Sequence, residues 1–170
     1  SYKVGLGTLK LENTFRWSKS RDEIFKECKR KYYYHYYGSW GGWEPDAPMD
    51  IREIYILKNL KNRYTWKGEV VHKVIARVLN SIKRRTPISL ERAISMTYHE
   101  MIQDYRNSEH GNYRQDPKKK CGLFEHVYQQ NFSVKERDIL IHEAQVCVRN
   151  FFESEIFSIA KRSGSENGYL

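Results

Sequence analysis

The chain has 170 residues, a length typical of one domain, and its hydrophobic fraction of 39% is enough for a modest core. It carries 30 Lys and Arg against 21 Asp and Glu, which gives a formal net charge of +9 at pH 7. This charge favours partners that carry phosphate, nucleic acid first among them, over cationic partners. A solvated basic surface without a particular ligand explains the charge alone equally well.

The cysteines and the hydropathy pattern indicate a reducing compartment and no membrane span. Cys28, Cys121 and Cys147 are too few and too scattered for a disulfide framework, so we expect a cytoplasmic location. No apolar run approaches the roughly 18 residues that a membrane span needs, and the N-terminus lacks the layout of a signal peptide. Because the sequence begins with Ser1 rather than Met, an upstream piece or a processed start is compatible with it.

The first third of the chain predicts an arm, a helix and a loop. Residues 1–17 are mixed in composition and predict an N-terminal arm. A helix is predicted to begin at Ser18 or Ser20, whose hydroxyl can cap it, and to continue until Gly38 ends it. Residues 38–49 are rich in Gly and Pro and predict a loop.

The remaining elements are also predicted to be helices, apart from a short segment around Leu123 to Tyr128 that is compatible with either a helix or a strand. Apolar residues at helical spacing predict helices over about 50–59, 65–85 and 89–107, followed by a polar connector over 108–122. A further helix is predicted from Val134 to about Lys161, capped by Ser133. No stretch alternates at a period of two for long enough to predict a strand. The fold class expected for the chain itself is therefore mainly α, with a single helical domain over 18–162 and a flexible tail over 163–170.

Gly68 and His72 are the first candidate for a functional site. They lie four residues apart on one helical face, and the missing side chain of Gly68 lets a backbone or a substrate approach beside the imidazole. A neutral imidazole that a helix holds rigidly is a good ligand for a divalent metal. The spacing alone is more often that of a core histidine beside a tight helix crossing. One turn away, Lys67 and Lys73 could contact phosphate, or could serve solubility alone.

A block of basic and aromatic residues over 26–37 is the second candidate. Lys29, Arg30 and Lys31 alternate with tyrosines, which offers cations to phosphates and flat rings to bases, a combination suited to single strands. Trp66 could also stack on a base. Because side chains radiate from a helix in all directions, about half of these tyrosines are expected to pack inside the protein.

Other kinds of catalytic or metal site find little support in the sequence. A closed zinc site normally has two pairs of ligands two to four residues apart, and the chain contains no Cys-x-x-Cys. The nucleophile elbow of hydrolases and a Gly-rich phosphate loop are both absent from the sequence. Metal-assisted cleavage of a phosphodiester needs converging carboxylates, and no Asp followed by Glu-x-Lys in a strand-like run occurs.

The order of three motifs resembles the N-terminal helical part of the RecB-like branch of the PD-(D/E)XK nuclease superfamily, which includes CRISPR-associated and recombination nucleases. The motifs are Trp17-Ser-Lys-Ser20, then Phe25-Lys-Glu-Cys28-Lys-Arg-Lys-Tyr-Tyr-Tyr34, then Gly68-Glu-Val-Val-His72. They cover about residues 13–85. The later helices are compatible with this resemblance.

The resemblance implies a metal-dependent DNA nuclease. In that family the histidine matching His72 is a ligand of the catalytic metal, and an Asp followed by Glu-x-Lys on a central sheet completes the site. His72 is therefore the implied catalytic residue, with Mg²⁺ or Mn²⁺ as cofactor if the acidic core is present. Some relatives hold an iron–sulfur cluster through a cysteine matching Cys28. Here Cys121 and Cys147 have the wrong places and Lys29 stands where the family usually shows proline, so no cluster is expected.

We therefore expect the chain to be the helical part of an α/β nuclease whose sheet core appears nowhere in these residues. The parent protein would hydrolyse DNA, and this chain would be catalytically incomplete until a C-terminal segment or a second chain completed it. Two alternatives remain open. One is a non-catalytic helical module that binds nucleic acid, in which His72 serves packing, and the other is a piece of an assembly whose exposed helix faces complete another chain.

Overall fold

A computed structural model describes residues 12–166, which divide into two units between Lys58 and Asn59. This division differs from the single helical domain predicted over 18–162. The mainly helical fold class is confirmed, because every regular element between residues 12 and 166 is a helix apart from an isolated bridge between Lys61 and Leu123. The rest of the predicted arm, 1–11, and the end of the predicted tail, 167–170, lie outside the described residues.

The first unit contains helices α1 (Lys19–Glu27), α2 (Lys29–Tyr33) and α3 (Met49–Lys58), with a π-helical turn over Tyr34–Gly38. Ser18 caps α1 as predicted, since its hydroxyl accepts a hydrogen bond from the Arg21 N–H at 3.3 Å. The single helix predicted up to Gly38 is interrupted at Cys28. There the backbone is extended, with φ −163° and ψ 114°, and the cysteine caps α2 in turn.

The loop between the π-helical turn and α3 is held to α3 by aromatic contacts. The ring of Trp43 lies 4.9 Å from that of Trp40 and 6.1 Å from that of Tyr55 on α3. A Cβ at Gly42 would overlap Tyr55, so the close approach of this loop to α3 requires glycine. The tryptophans that made this segment unusual in the sequence therefore fix its position.

The second unit contains the longer helices. In chain order they are α4 (Arg63–Lys83), α5 (Leu90–Glu109), α6 (Phe124–Val127), α7 (Val134–Glu153) and α8 (Glu155–Glu166), with a 3-10 turn over Asn112–Arg114. Helices α4, α5 and α7 pack on one another, and α8 contacts α4 and α7. The largest fully buried side chains of this unit are Trp66, Met101, Leu123, Val74, Val78, Val148 and Thr97.

Serine hydroxyls cap the starts of α5, α7 and α8 in this unit. Ser89 caps α5, and Ser133 with Glu136 forms a capping box at the start of α7, as the sequence predicted for both helices. The long helix predicted to reach about Lys161 is broken at Ser154. The backbone is extended there, and the serine hydroxyl accepts a hydrogen bond from the Phe157 N–H at 3.3 Å, which starts α8. Part of the predicted tail is therefore helical.

Arg63 joins the start of α4 to α6 and α7. Its backbone N–H and its Nε both donate to Oε1 of Glu125, at 2.9 and 3.0 Å, and Glu125 is only 4% exposed. Nη1 donates to Glu136 at 3.0 Å and Nη2 to the carbonyl oxygen of Asn131 at 3.0 Å. The guanidinium also lies over the ring of Phe132 at 4.6 Å. The Arg63 side chain therefore donates hydrogen bonds to three separate segments, namely α6, α7 and the turn between them.

We expect Arg63→Met to lower the free energy of unfolding by about 3 kcal/mol or more, because it leaves the Glu125 carboxylate buried without a cation. Urea unfolding followed by circular dichroism measures the loss. The control is Lys119→Met, whose exposed ion pair with Asp116 is expected to contribute less than about 1 kcal/mol. Equal losses in the two variants would contradict the role given to Arg63.

Candidate functional site

His72 lies on the solvent side of α4. The helix buries Trp66, Val70, Val74 and Val78, whose spacing of four residues turns His72 outward. The imidazole is exposed, and within residues 12–166 it has no hydrogen-bond or ion-pair partner. This arrangement differs from that of a core histidine whose polar atoms are satisfied by neighbours.

Gly68 lies beside His72 on the same side of α4. A Cβ built at Gly68 meets no atom within 4 Å, so within residues 12–166 no helix crosses closely there. Glycine inside a helix costs about 1 kcal/mol relative to alanine. The packing of the described residues does not require this glycine. Its presence therefore suits close contact with a surface that these residues do not supply.

The surrounding face of α4 has an unusual composition. We call it the His72 face, and its members at helical spacing are Thr65, Gly68, His72, Ala76 and Leu79. All of them are at least partly exposed, and none carries a formal charge at neutral pH. The outer face of a helix normally carries charged and polar side chains. The His72 face is therefore suited to contact with another surface.

Carboxylates near α4 are engaged with cations. Glu69 pairs with Lys61, and Glu143 accepts a hydrogen bond from Lys67 at 2.6 Å. Glu100 pairs with Lys73 and with Arg77, and these cations hold its pKa below the usual value although burial alone would raise it. In the described part of the chain, no three His, Cys, Asp or Glu side chains are grouped so that they could hold a metal. His72 thus offers one metal ligand and needs others from elsewhere.

Cys28, Cys121 and Cys147 are free cysteines. Cys121 is buried, and that burial raises the pKa of its thiol to about 12, which disfavours the thiolate that metal binding requires. Cys28 and Cys147 are free and exposed.

The sequence predicted that three residues near His72 contact nucleic acid, but in the structure each of them contacts a carboxylate of a neighbouring helix. Trp66 is 1% exposed, and its Nε1–H donates to Asp104 Oδ2 at 3.1 Å, so its ring cannot stack on a base. Lys67 and Lys73 hold ion pairs that join α4 to α7 and α5. Trp66 begins the buried series of α4.

The basic and aromatic block of the first unit is well exposed. Lys29 and Arg30 lie on α2, where their charged groups approach the rings of Phe25 and Tyr34 at 5.7 and 5.9 Å. Lys31 pairs with Glu27 at 2.7 Å. The exposed rings belong to Tyr33, Tyr34 and Tyr37, whereas Tyr32 and Tyr36 are half-buried and contact each other. None of these five tyrosines is fully buried, so fewer of them pack inside the protein than expected.

A cavity of about 540 Å³ opens beside this block, lined by Lys31, Tyr34, His35, Ile54, Leu57 and Lys58. Lys58 Nζ donates to the carbonyl oxygen of His35 at 2.6 Å, and burial followed by the charge of Lys58 lowers the pKa of His35. The cavity therefore has an aromatic and aliphatic wall with cationic groups at its edge. Lys58 belongs to a separate helix, so the block alone did not predict it.

No protein-family model, no curated protein and no solved structure matches this chain. Within residues 12–166, no helix combines the length and apolar character needed to cross a membrane. The function is therefore inferred from the chain's own residues.

We expect Gly68→Ala to raise the free energy of unfolding by about 0.5–1 kcal/mol, because alanine favours the helix and its Cβ enters open space. Thermal unfolding followed by circular dichroism measures the change. Gly42→Ala is the control and should destabilise the protein, since its Cβ would overlap Tyr55. If Gly68→Ala proves destabilising, the open space beside His72 is not present in solution.

Proposed function

We propose that this chain is the helical, DNA-contacting part of a metal-dependent nuclease similar to the RecB-like branch, in which His72 is one ligand of the divalent cation. The observation that carries the proposal is the exposed imidazole of His72, which has no partner within residues 12–166 and lies beside the open space at Gly68. A histidine that serves only packing would be buried and hydrogen-bonded. The motif order Trp17–Ser20, Phe25–Tyr34 and Gly68–His72 gives independent support.

The composition of the His72 face supports the same proposal. In a PD-(D/E)XK nuclease the site is completed by acidic residues on a sheet, and a sheet needs a flat, uncharged surface to pack against. Thr65, Gly68 and Ala76 are small enough to let a backbone approach His72 closely. In this proposal the covering surface comes from residues outside 12–166 or from another chain.

The donor set within the described residues is one imidazole, which is incomplete for a divalent cation. In such sites the bound metal polarises the phosphoryl oxygen and activates water. The contribution proposed for this chain is narrower. The helix α4 provides a rigid backbone for His72, and the basic groups of the chain contact the phosphates of DNA.

The test uses the protein expressed from the complete reading frame that contains this sequence. We expect it to cleave DNA only with Mg²⁺ or Mn²⁺, and His72→Ala to reduce the rate by at least about 100-fold, since losing even an outer-shell partner of a metal costs about 10- to 100-fold. Gel assays of labelled DNA measure the rate. The control is His99→Ala, which removes another exposed helical histidine and should leave the rate unchanged.

Metal-dependent cleavage that is equal in the two histidine variants would remove His72 from the site. Absence of any metal-dependent cleavage by the complete protein would overturn the nuclease proposal itself.

A second candidate function is binding of single-stranded nucleic acid without chemistry. It is favoured by the exposed tyrosines of the first unit, which lie beside the cavity at Tyr34 and among Lys29 and Arg30, two cations without a carboxylate partner within residues 12–166. Proteins that bind single strands combine basic surface with aromatic rings on which bases stack. This function would explain the first unit but gives no reason for the uncharged His72 face.

We expect Tyr33→Ala to weaken binding of single-stranded DNA by about 5- to 150-fold, the loss of one stacked base at about 1–3 kcal/mol. The measurement is fluorescence anisotropy with a labelled oligonucleotide, made with and without chelator. Tyr128→Ala is the matched control, because Tyr33 is 56% exposed and Tyr128 51% exposed, in different units. Binding that depends on metal, or that both variants weaken equally, would count against stacking on the first unit.

A further inference from the structure

The turn between α4 and α5 forms a polar pocket that lies apart from the His72 face along α4. Its volume is about 630 Å³, which falls within the usual range for small-ligand sites. Three arginines line it, namely Arg77, Arg84 and Arg92. We call it the arginine pocket, and Asn80 and Thr86 add further polar groups to its wall.

Most of the positive charge in the arginine pocket is not neutralised. Arg77 Nη1 donates to Glu100 at 3.0 Å, but Glu100 also pairs with Lys73 and is therefore shared between two cations. Within residues 12–166, the guanidinium groups of Arg84 and Arg92 have no hydrogen-bond or ion-pair partner. Guanidinium groups hold phosphate through paired hydrogen bonds and lose less hydration energy than ammonium groups when they do so.

The pocket is formed before any ligand arrives, because its turn is closed by hydrogen bonds. The hydroxyl of Ser81 accepts from the Ile88 N–H at 3.0 Å, and the Ser81 carbonyl oxygen accepts from the Thr86 N–H at 2.9 Å. Ser81 itself is buried. A preformed site avoids the entropy cost of ordering a loop on binding.

The turn holds an arginine, Arg85, in an unfavourable backbone conformation. Arg85 has φ 58°, a left-handed conformation that favours glycine, so an arginine there costs about 1 kcal/mol. Together with Lys83 and Arg84 it forms an unbroken basic run, of which Arg84 lines the arginine pocket.

We propose that the arginine pocket binds a phosphate group of a nucleic-acid strand, with Arg84 and Arg92 as the principal contacts. The apolar side chains of Ile88 and Met96 in the same pocket give room for the sugar or base that a strand carries beside its phosphate. The choice of a strand as ligand rests on the proposed function. The phosphate chemistry of the pocket itself rests on the arginines alone.

The experiment compares the chain with two double variants of equal charge. Arg84→Ala with Arg92→Ala removes the proposed contacts, and Arg106→Ala with Arg149→Ala removes two exposed arginines elsewhere. Anisotropy measures affinity for a labelled single strand across a salt series, and amide NMR shifts of Thr86 and Ile88 measure binding of inorganic pyrophosphate. Circular dichroism confirms that both variants fold.

We expect the pocket variant to lose at least about tenfold in affinity for the strand, with a salt dependence reduced by about one unit per lost contact, and the control to lose much less. Pyrophosphate should shift the amides of Thr86 and Ile88 in the original chain and in the control, but not in the pocket variant.

Equal losses of strand affinity in the two variants would overturn the proposal and leave nucleic-acid binding by the chain intact. If the original chain binds no strand, the strand as ligand of this pocket fails, whereas the nuclease proposal is decided by the cleavage assay. In that case saturable binding of pyrophosphate would assign the pocket to free phosphate compounds and overturn the strand as ligand.

Discussion

The pairing of Arg63 with Glu125 is the constraint on which the second unit depends. A buried carboxylate is costly unless a cation and hydrogen-bond donors surround it, and Arg63 supplies both from the first residue of α4. The same guanidinium reaches the capping box of α7 through Glu136. Since the start of α4 is fixed in this way, the rotation of the helix about its axis is fixed too. The buried series that begins at Trp66 and the outward direction of His72 are two consequences of that one rotation.

The rotation of α4 about its axis is also a feature that the sequence alone does not determine. A spacing of four residues places Gly68 and His72 on one face, whatever the fold. It does not say whether that face is inside, because Val71, Ile75 and Leu79 form a second apolar row beside the buried one and widen the apolar side of α4. The more frequent outcome for such a spacing is a core histidine, and only the packing of α5 and α7 against the opposite side excluded it. For the same reason Trp66 was given a surface role that its burial rules out.

Helix boundaries were predictable where a hydroxyl cap began an apolar pattern, as at Ser89 and Ser133. The interruptions at Cys28 and Ser154 were not, because both lie within patterns that continue at helical spacing on either side. A single side chain that accepts a hydrogen bond from the backbone three residues later is enough to restart a helix in a new direction. Tertiary packing decides whether the helix continues or restarts at such a residue, and the hydrophobic periodicity of the sequence does not reveal that packing.

The net charge of the chain says less about where a phosphate could bind than the positions of its ion pairs do. Lys67 and Lys73, which the sequence placed beside a possible active site, are held by carboxylates of neighbouring helices and stabilise the packing of α4. The cations that remain without carboxylate partners among residues 12–166 include Lys29 and Arg30 in the first unit and Arg84 and Arg92 in the second. A phosphate gains most from cations that no carboxylate already neutralises, because breaking an existing ion pair offsets the new contact. The surfaces that we propose for nucleic acid are therefore ones where the chain leaves its positive charge uncompensated, and the α4–α5 turn is one of these in the second unit.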